Sequence, residues 1–389
     1  MRHSIIFLWS CLFLNLLIIP RFCFSKDENV MKVLDNINSD SIISFIGDLY
    51  GESQIYVDNL AYFIKSRYKL SDGNIKAAEY LRQKLLSYGL ETYFQNYSLT
   101  GTNIYAFQTG TDDPDKKYYM SAHYDDMPKV GDAPGADDNA SGCAIVLEAA
   151  RIISQWKSKY TIIYGFFDEE EQGYVGEKYF AFNSGILTEG ILGVIEIDMV
   201  GWDSNNDNVL LVRPTDHDGA IKLKNKIIEL ADTYDFEVKP IIKNIGCTDT
   251  LLNMYPIIGF NEDSEDFNPY YHTEEDKLSK INRNYLFNNA KLEIALLASI
   301  VELETTNFVN NNQNWFNDTS CLNIYPNPAS SKIELGLLNS EKYGEVKIYS
   351  IEGYNVLVTD YKDKIDVNSL TSGLYFIKIG KRIGKFIKI

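Results

Sequence analysis

Histidine and cysteine are scarce in this sequence, and positive charge is outnumbered. There are 4 histidines and 5 cysteines in 389 residues, and no two cysteines form a Cys-x-x-Cys pair. That spacing excludes cysteine-based zinc ribbons and a disulfide framework. Cys11 and Cys23 fall in the leader described below, which leaves Cys143, Cys247 and Cys321. A bridge from Cys143 to Cys247 is open in an oxidising compartment, and isolated buried thiols are the expectation. Lys and Arg number 37 against 54 Asp and Glu, a net charge of -17. Such a balance excludes a nucleic-acid partner, whose phosphates need a clustered basic surface. Acidity of this kind serves solubility. Internal repeats are missing, and the asparagines at 310–312 are the one low-complexity feature. The apolar run Ile5–Ile19 follows Arg2 and His3 and precedes the small residues Cys23 and Ser25. It is shorter than the ~20 residues that span hydrocarbon. Residues 1–25 therefore read as a cleaved secretory signal that leaves no transmembrane anchor.

What remains is ordinary for a folded chain, with 45% hydrophobic and 23% charged residues. The length accommodates one large domain and a small second one. Ile75, Ala78, Leu81 and Leu85 recur at helical spacing between Asn74 and Tyr88, and Gly89 follows as a stop. Strands are then predicted at Tyr118–Ala122, Tyr160–Phe167 and Ile191–Ile197. Helices are predicted at Ala144–Ile153, from about Gly176, at Ile221–Asp235 and from about Asn282 to Glu304. This alternation predicts an α/β domain whose mixed, mainly parallel central sheet carries helices on both faces. Sites in such sheets lie at the carboxyl ends of the strands.

Three of the predicted strands end in chemistry. His123 follows Tyr118–Ala122, with Asp125 two residues on. Asp168-Glu169-Glu170-Glu171 follows Tyr160–Phe167, and Asp198 follows Ile197. Alone, each is weak: a His-x-Asp pair arises by chance, and an acidic loop can simply be solvated. His217, in a polar loop, reads as solvated. The turn Gly135-Ala136-Asp137-Asp138-Asn139-Ala140-Ser141-Gly142 precedes a helix, where an Asp commonly serves as N-cap. Asn268-Pro269-Tyr270-Tyr271-His272 adds a second loop histidine. Together, mixed nitrogen and carboxylate donors suit Zn²⁺, whereas Ca²⁺ and Mg²⁺ favour oxygen. Donors beyond the needs of one tetrahedral ion suggest a pair sharing a carboxylate.

His123-x-Asp125, the Gly-Ala-Asp-Asp-Asn-Ala-Ser-Gly turn, Glu170-Glu171-x-Gly173-x-x-Gly176, Asp198-Met199 and His272-Thr273-x-x-Asp276 resemble the M28 family of co-catalytic zinc peptidases. The likeness runs from about Ser66 to Glu304. It implies an aminopeptidase acting on peptide substrates with two Zn²⁺ per chain. By resemblance, Asp138 bridges the metals, His123 and Asp198 complete one site, and Glu171 and His272 complete the other. Glu170 is the implied general base and Asp125 the residue that orients His123. The resemblance also implies a cis peptide between Asp138 and Asn139, and an ammonium-recognising role for the acidic residues Glu169 and Glu170. Relatives often carry Ser-Asp-His-x-x-Phe where this chain has Thr248-Asp249-Thr250-Leu251-Leu252, so pocket shape stays open. Glutaminyl cyclases, carboxypeptidases, dipeptidases and catalytically silent binding domains share the fold and remain alternatives.

Beyond an Asn-rich linker at 307–320, short alternating runs at Lys332–Leu337, Glu345–Ser350, Asn355–Thr359, Leu374–Ile379 and Arg382–Ile389 predict a small all-β sandwich. Tyr325-Pro326-Asn327-Pro328, Gly373-Leu374-Tyr375 and the terminal Lys385-Phe386-Ile387-Lys388-Ile389 resemble a type A sorting domain of type IX secretion. An accessory substrate-binding sandwich is the alternative. The expected organisation is a signal (1–25), an N-terminal segment that is a propeptide or the first helices (26–65), a zinc peptidase domain (66–306), the linker, and a sorting domain (321–389). The resemblance implies recognition by the type IX machinery, export across both membranes to the surface or medium, and loss of the tail on the way.

Overall fold

The computed structural model describes residues 25–57, 60–128, 131–183, 190–243, 255–304, 323–325, 329–336, 344–350, 354–362, 364–379 and 382–389. Residues 1–24 of the predicted signal, the linker, Cys247, Cys321, Thr248–Leu252 and Pro326–Pro328 lie outside them. The chain divides into two compact units, Met1–Thr306 and Asn307–Ile389.

The first unit opens with two helices, α1 (Glu28–Asp35) and α2 (Ser39–Tyr50). Asp27 caps α1 by accepting from the Asn29 and Val30 amides, and Asn38 caps α2 by accepting from Ser41. Gly51, at φ 84°, ends α2, and a Cβ there would lie 1.7 Å from the Ile64 carbonyl oxygen. A hairpin of β1 (Ile55–Val57) and β2 (Leu60–Tyr62) leads to α3 (Asp72–Ser87). The elements that follow are β3 (Glu91–Asn96), β4 (Thr102–Gln108), β5 (Asp113–His123), α4 (Ala140–Ile153), β6 (Tyr160–Phe167), α5 (Val175–Asn183) and β7 (Ile191–Ile197). Then come β8 (Val209–Pro214), α6 (Asp218–Tyr234), β9 (Lys239–Ile242), β10 (Ile257–Glu262) and α7 (Arg283–Ile300).

The eight strands β3 to β10 form one sheet in the order β3-β4-β6-β5-β7-β10-β8-β9. Pairings β6/β5, β5/β7, β7/β10 and β8/β9 are parallel, and β3/β4, β4/β6 and β10/β8 are antiparallel. The four adjacent parallel strands therefore deliver their carboxyl ends to one edge. Helix α4 is almost wholly buried because Ala, Gly, Cys and aliphatic residues occupy every face. It starts at Ala140 rather than at the expected Ala144, since Asn139 caps it by accepting from Gly142. Among the described residues, no helix is long and apolar enough to cross a membrane.

The second unit is antiparallel. Its strands are β11 (Asn323–Tyr325), β12 (Lys332–Gly336), β13 (Glu345–Ser350), β14 (Asn355–Asp360), β15 (Ile365–Asp366), β16 (Gly373–Ile379) and β17 (Arg382–Lys388). They form sheets β11-β12-β15 and β14-β13-β16-β17. Alternation places Ile333, Val346, Ile348, Ile377 and Phe386 in its core.

Candidate metal centre

At the shared strand edge, five of the sequence-predicted side chains converge. His123 is the last residue of β5, and Asp198 directly follows β7. His123 Nε2 lies 3.3 Å from Asp138 Oδ1 and 3.3 Å from Asp198 Oδ1. His272 Nε2 lies 2.8 Å from Glu171 Oε1 and 3.2 Å from Asp138 Oδ2. Two donor triads result, His123–Asp138–Asp198 and Asp138–Glu171–His272, with Asp138 common to both. The Asp138–Asn139 peptide is cis, as is Met127–Pro128. Glu169, Met199 and His272 adopt φ of 58°, 52° and 58°. Left-handed backbone at non-glycine residues is uncommon and gathers where a site imposes geometry.

The charges are mutually dependent. Burial works against a charged His272, yet the neighbouring Asp138 and Glu171 carboxylates win and raise it to about 10. Burial likewise opposes a charged His123, while the Glu170 charge and the nearby carboxylates of Asp125, Asp138 and Asp198 raise it well above the usual value. Burial would raise Asp138, but both histidines hold its carboxyl far below the usual range. Glu171 is pushed up to about 7 by burial against the pull of His272. Glu170, outside both triads, is pushed up to about 8, chiefly by burial, with His123 opposing and Asp198, Glu171 and Asp125 adding.

Donor chemistry fits zinc: two imidazoles and three carboxylates, the set that oxygen-seeking cations do not prefer. Asp138 Oδ2 is buried and without a hydrogen-bond partner among the described residues, as a carboxylate awaiting a cation would be.

Asp125 does more than approach His123. Its Oδ1 lies 3.4 Å from His123 Nδ1, which makes no hydrogen bond, whereas its two oxygens accept from the Glu170 and Glu171 amides at 3.0 and 3.2 Å. It thereby fixes the turn that carries both glutamates. The Glu169 carboxylate accepts from Thr100 Oγ1 at 3.0 Å and faces Lys69 Nζ at 3.7 Å. His217 caps α6, its Nδ1 accepting from Gly219, and Cys143 is a buried free thiol that donates to the His123 carbonyl.

A supporting layer stands behind the donors, and the motifs contained Asp137, Asn139, Asn268 and Asp276 without revealing this role. Asp276 accepts from the Asp137 and Asp138 amides at 3.0 Å. Asp137 accepts from Gly201 N and Asn268 Nδ2 and lies against Glu262, which burial and the Asp137 charge push up to about 12. Asn139 donates to the Ile197 carbonyl and Asn261 to Asp198, tying the bridging turn to the end of β7. Glu262, at the end of the apolar run Ile257–Phe260, carried the same signature as the ligands, an acid closing a buried strand.

Residues 103–297 match peptidase family M28, and residues 323–388 match the secretion system C-terminal sorting domain. A probable zinc metalloprotease of Pyrenophora tritici-repentis is 38% identical over 110 residues, covering 27% of this chain and 23% of that one. The chain thus spans about a quarter of the length of the curated relatives it matches. The Legionella pneumophila LapA aminopeptidase superposes with a TM-score of 0.61 at 26% identity, over 72% of this chain and 79% of that one. The Porphyromonas gingivalis glutaminyl cyclase shares the fold, with a TM-score of 0.56 at 20% identity over 68% and 99%. With the family's match spanning the strand ends that bear the donor triads, the chain belongs to peptidase family M28 and carries a secretion-type sorting domain at its C-terminus.

Proposed function

We propose that this chain is an exported aminopeptidase that uses two zinc ions. His123, Asp138 and Asp198 would hold one ion and Asp138, Glu171 and His272 the other, with Asp125 as the support of the glutamate turn. The observation that carries this reading is one carboxylate whose two oxygens face two different histidines, at 3.3 and 3.2 Å. Zinc, when bound, supplies Lewis acidity and makes water a stronger acid. Glu170 stands beside the triads without belonging to either. Its carboxylate takes the proton of the attacking water and returns it to the leaving amine. With Glu169 matched by Lys69, Glu170 and the partly exposed Asp198 are the anions left to meet a substrate ammonium. The sorting domain supports export by type IX secretion to the cell surface or the medium.

The test is zinc content together with a panel of peptides that differ only in the N-terminus. Free peptides with apolar first residues should lose that residue, and N-acetylated copies should react at least a hundredfold more slowly. Equal rates on both would overturn the aminopeptidase reading. The fold shared with a glutaminyl cyclase favours a second reading. It is decided by a peptide beginning with glutamine, from which a cyclase releases ammonia and an aminopeptidase releases glutamine.

A further inference from the structure

We propose that Arg67 is the positioning residue of the metal centre, setting the separation of the turns that carry His123, Asp138 and Glu170. The proposal rests on the ligand roles read above. Arg67 is fully buried, an expensive place for a permanent cation. Its guanidinium is spent on backbone carbonyls from three separate segments. Nε donates to Tyr124 O at 2.7 Å, Nη1 to Leu49 O and Pro134 O at 2.8 and 2.9 Å, and Nη2 to Gly135 O at 2.9 Å. Asp126, equally buried, balances the charge with Oδ2 3.5 Å from Nη1 and accepts from the Arg67 amide at 2.8 Å.

Two of the three segments lead to a candidate ligand. Tyr124 follows His123 directly. Pro134 and Gly135 open the turn that ends in Asp138, and Gly135 has no Cβ because one would lie 2.7 Å from Arg67 Nη2 and 2.4 Å from Asp138 O. On its main-chain side, Arg67 O accepts from Asn74 Nδ2 at 2.9 Å. The same amide donates to Asp168 Oδ1 at 2.8 Å, just ahead of the glutamate turn. One rigid fork thus gauges the distance between donors that lie far apart in sequence, as partners behind metal ligands commonly do. Lysine cannot replace it, because a single ammonium with three donors cannot serve four carbonyls in this plane. The Leu49 bond also makes the end of α2 part of the gauge.

The test uses the full chain and zinc alone, with Arg67→Lys and Arg67→Gln beside Leu230→Ala. Leu230 is a buried core residue of α6, a helix that carries none of the candidate ligands. Circular dichroism and melting establish folding, and competition with a graded chelator measures zinc retention. Folded Arg67 variants should yield zinc at least tenfold more readily than wild type. Leu230→Ala should keep wild-type retention at a comparable loss of Tm. The proposal is overturned if a folded Arg67 variant retains zinc like wild type, if Leu230→Ala loses zinc equally, or if neither Arg67 variant folds. Failure of the wild type itself to hold zinc would instead sink the metal reading.

Discussion

Glu293 lies in the middle of α7, where it is fully buried and neither carboxyl oxygen has a hydrogen-bond partner among the described residues. Helix α7 packs against α1, α2, α4 and α6, so water does not reach the group. Burial raises its pKa well above the ordinary 4.5, and the folded protein keeps it neutral. The unfolded chain ionises it near that ordinary value. The folded-state value is the higher one, so the neutral form gives its full contribution below the unfolded pKa. That contribution is lost as pH rises, by ~1.4 kcal/mol per unit, until the folded pKa is reached. Each pH unit crossed above about 4.5 and below the folded pKa therefore removes a sizeable part of a typical stability of ~5–15 kcal/mol. Glu293→Gln keeps the shape and removes the titration. Urea unfolding of both proteins across that range, at fixed zinc, should give curves that diverge, with the variant gaining ~1.4 kcal/mol per pH unit over the parent. Any fixed penalty for the extra amide donor would shift the difference without tilting it. A difference that stays flat with pH would refute the neutral buried carboxyl.

Further outcomes concern the centre itself. Glu170→Gln should keep the zinc content of the parent and lose ~10²–10⁴-fold in kcat, whereas Glu171→Gln should lose zinc; near-normal turnover in the zinc-loaded Glu170 variant would refute the assigned base. Zinc retention should strengthen with pH, because the metal-free His272, raised to about 10 by Asp138 and Glu171 against the effect of burial, must shed a proton to bind. His123, raised likewise, must shed a second proton, so chelator competition, corrected for the chelator's own titration, should show at least about a tenfold stronger hold per pH unit between roughly 6.5 and 7.5, and a flat profile would contradict the charged state of both histidines.

The candidate donors were legible because each breaks a local pattern. His123, the Asp168–Glu171 run and Asp198 all close buried apolar strands, and with only 4 histidines a loop histidine such as His272 stands out. Three of the four central parallel strands were legible for the same reason, with Tyr160–Phe167 and Ile191–Ile197 matching their predicted bounds. The fourth, β10, and the outer strands β3, β4, β8 and β9 were not, since short strands with mixed faces carry a weak pattern. Arg67 left no trace in the sequence because its partners are carbonyls, which every residue possesses. Asp168 misled in another way. It sits in an acidic run suited to solvent, yet it is buried and pushed up to about 7 by that burial and by Asp125, with Asn74, Thr102 and Tyr124 opposing. Only the packed fold reveals that one acid of the run supports while its neighbours face the centre.

The strand order has a consequence for a chain that is made from its N-terminus onward. Strand β10 enters the sheet between β7 and β8, although both precede it in sequence. A growing N-terminal portion can therefore bring His123, Asp138 and Asp198 together, but the gap beside β7 stays open until β10 arrives, and His272 follows later still. Pairings this distant in sequence form late. A partly made chain therefore lacks the second triad, and both donor sets are complete only once nearly the whole domain has been synthesised.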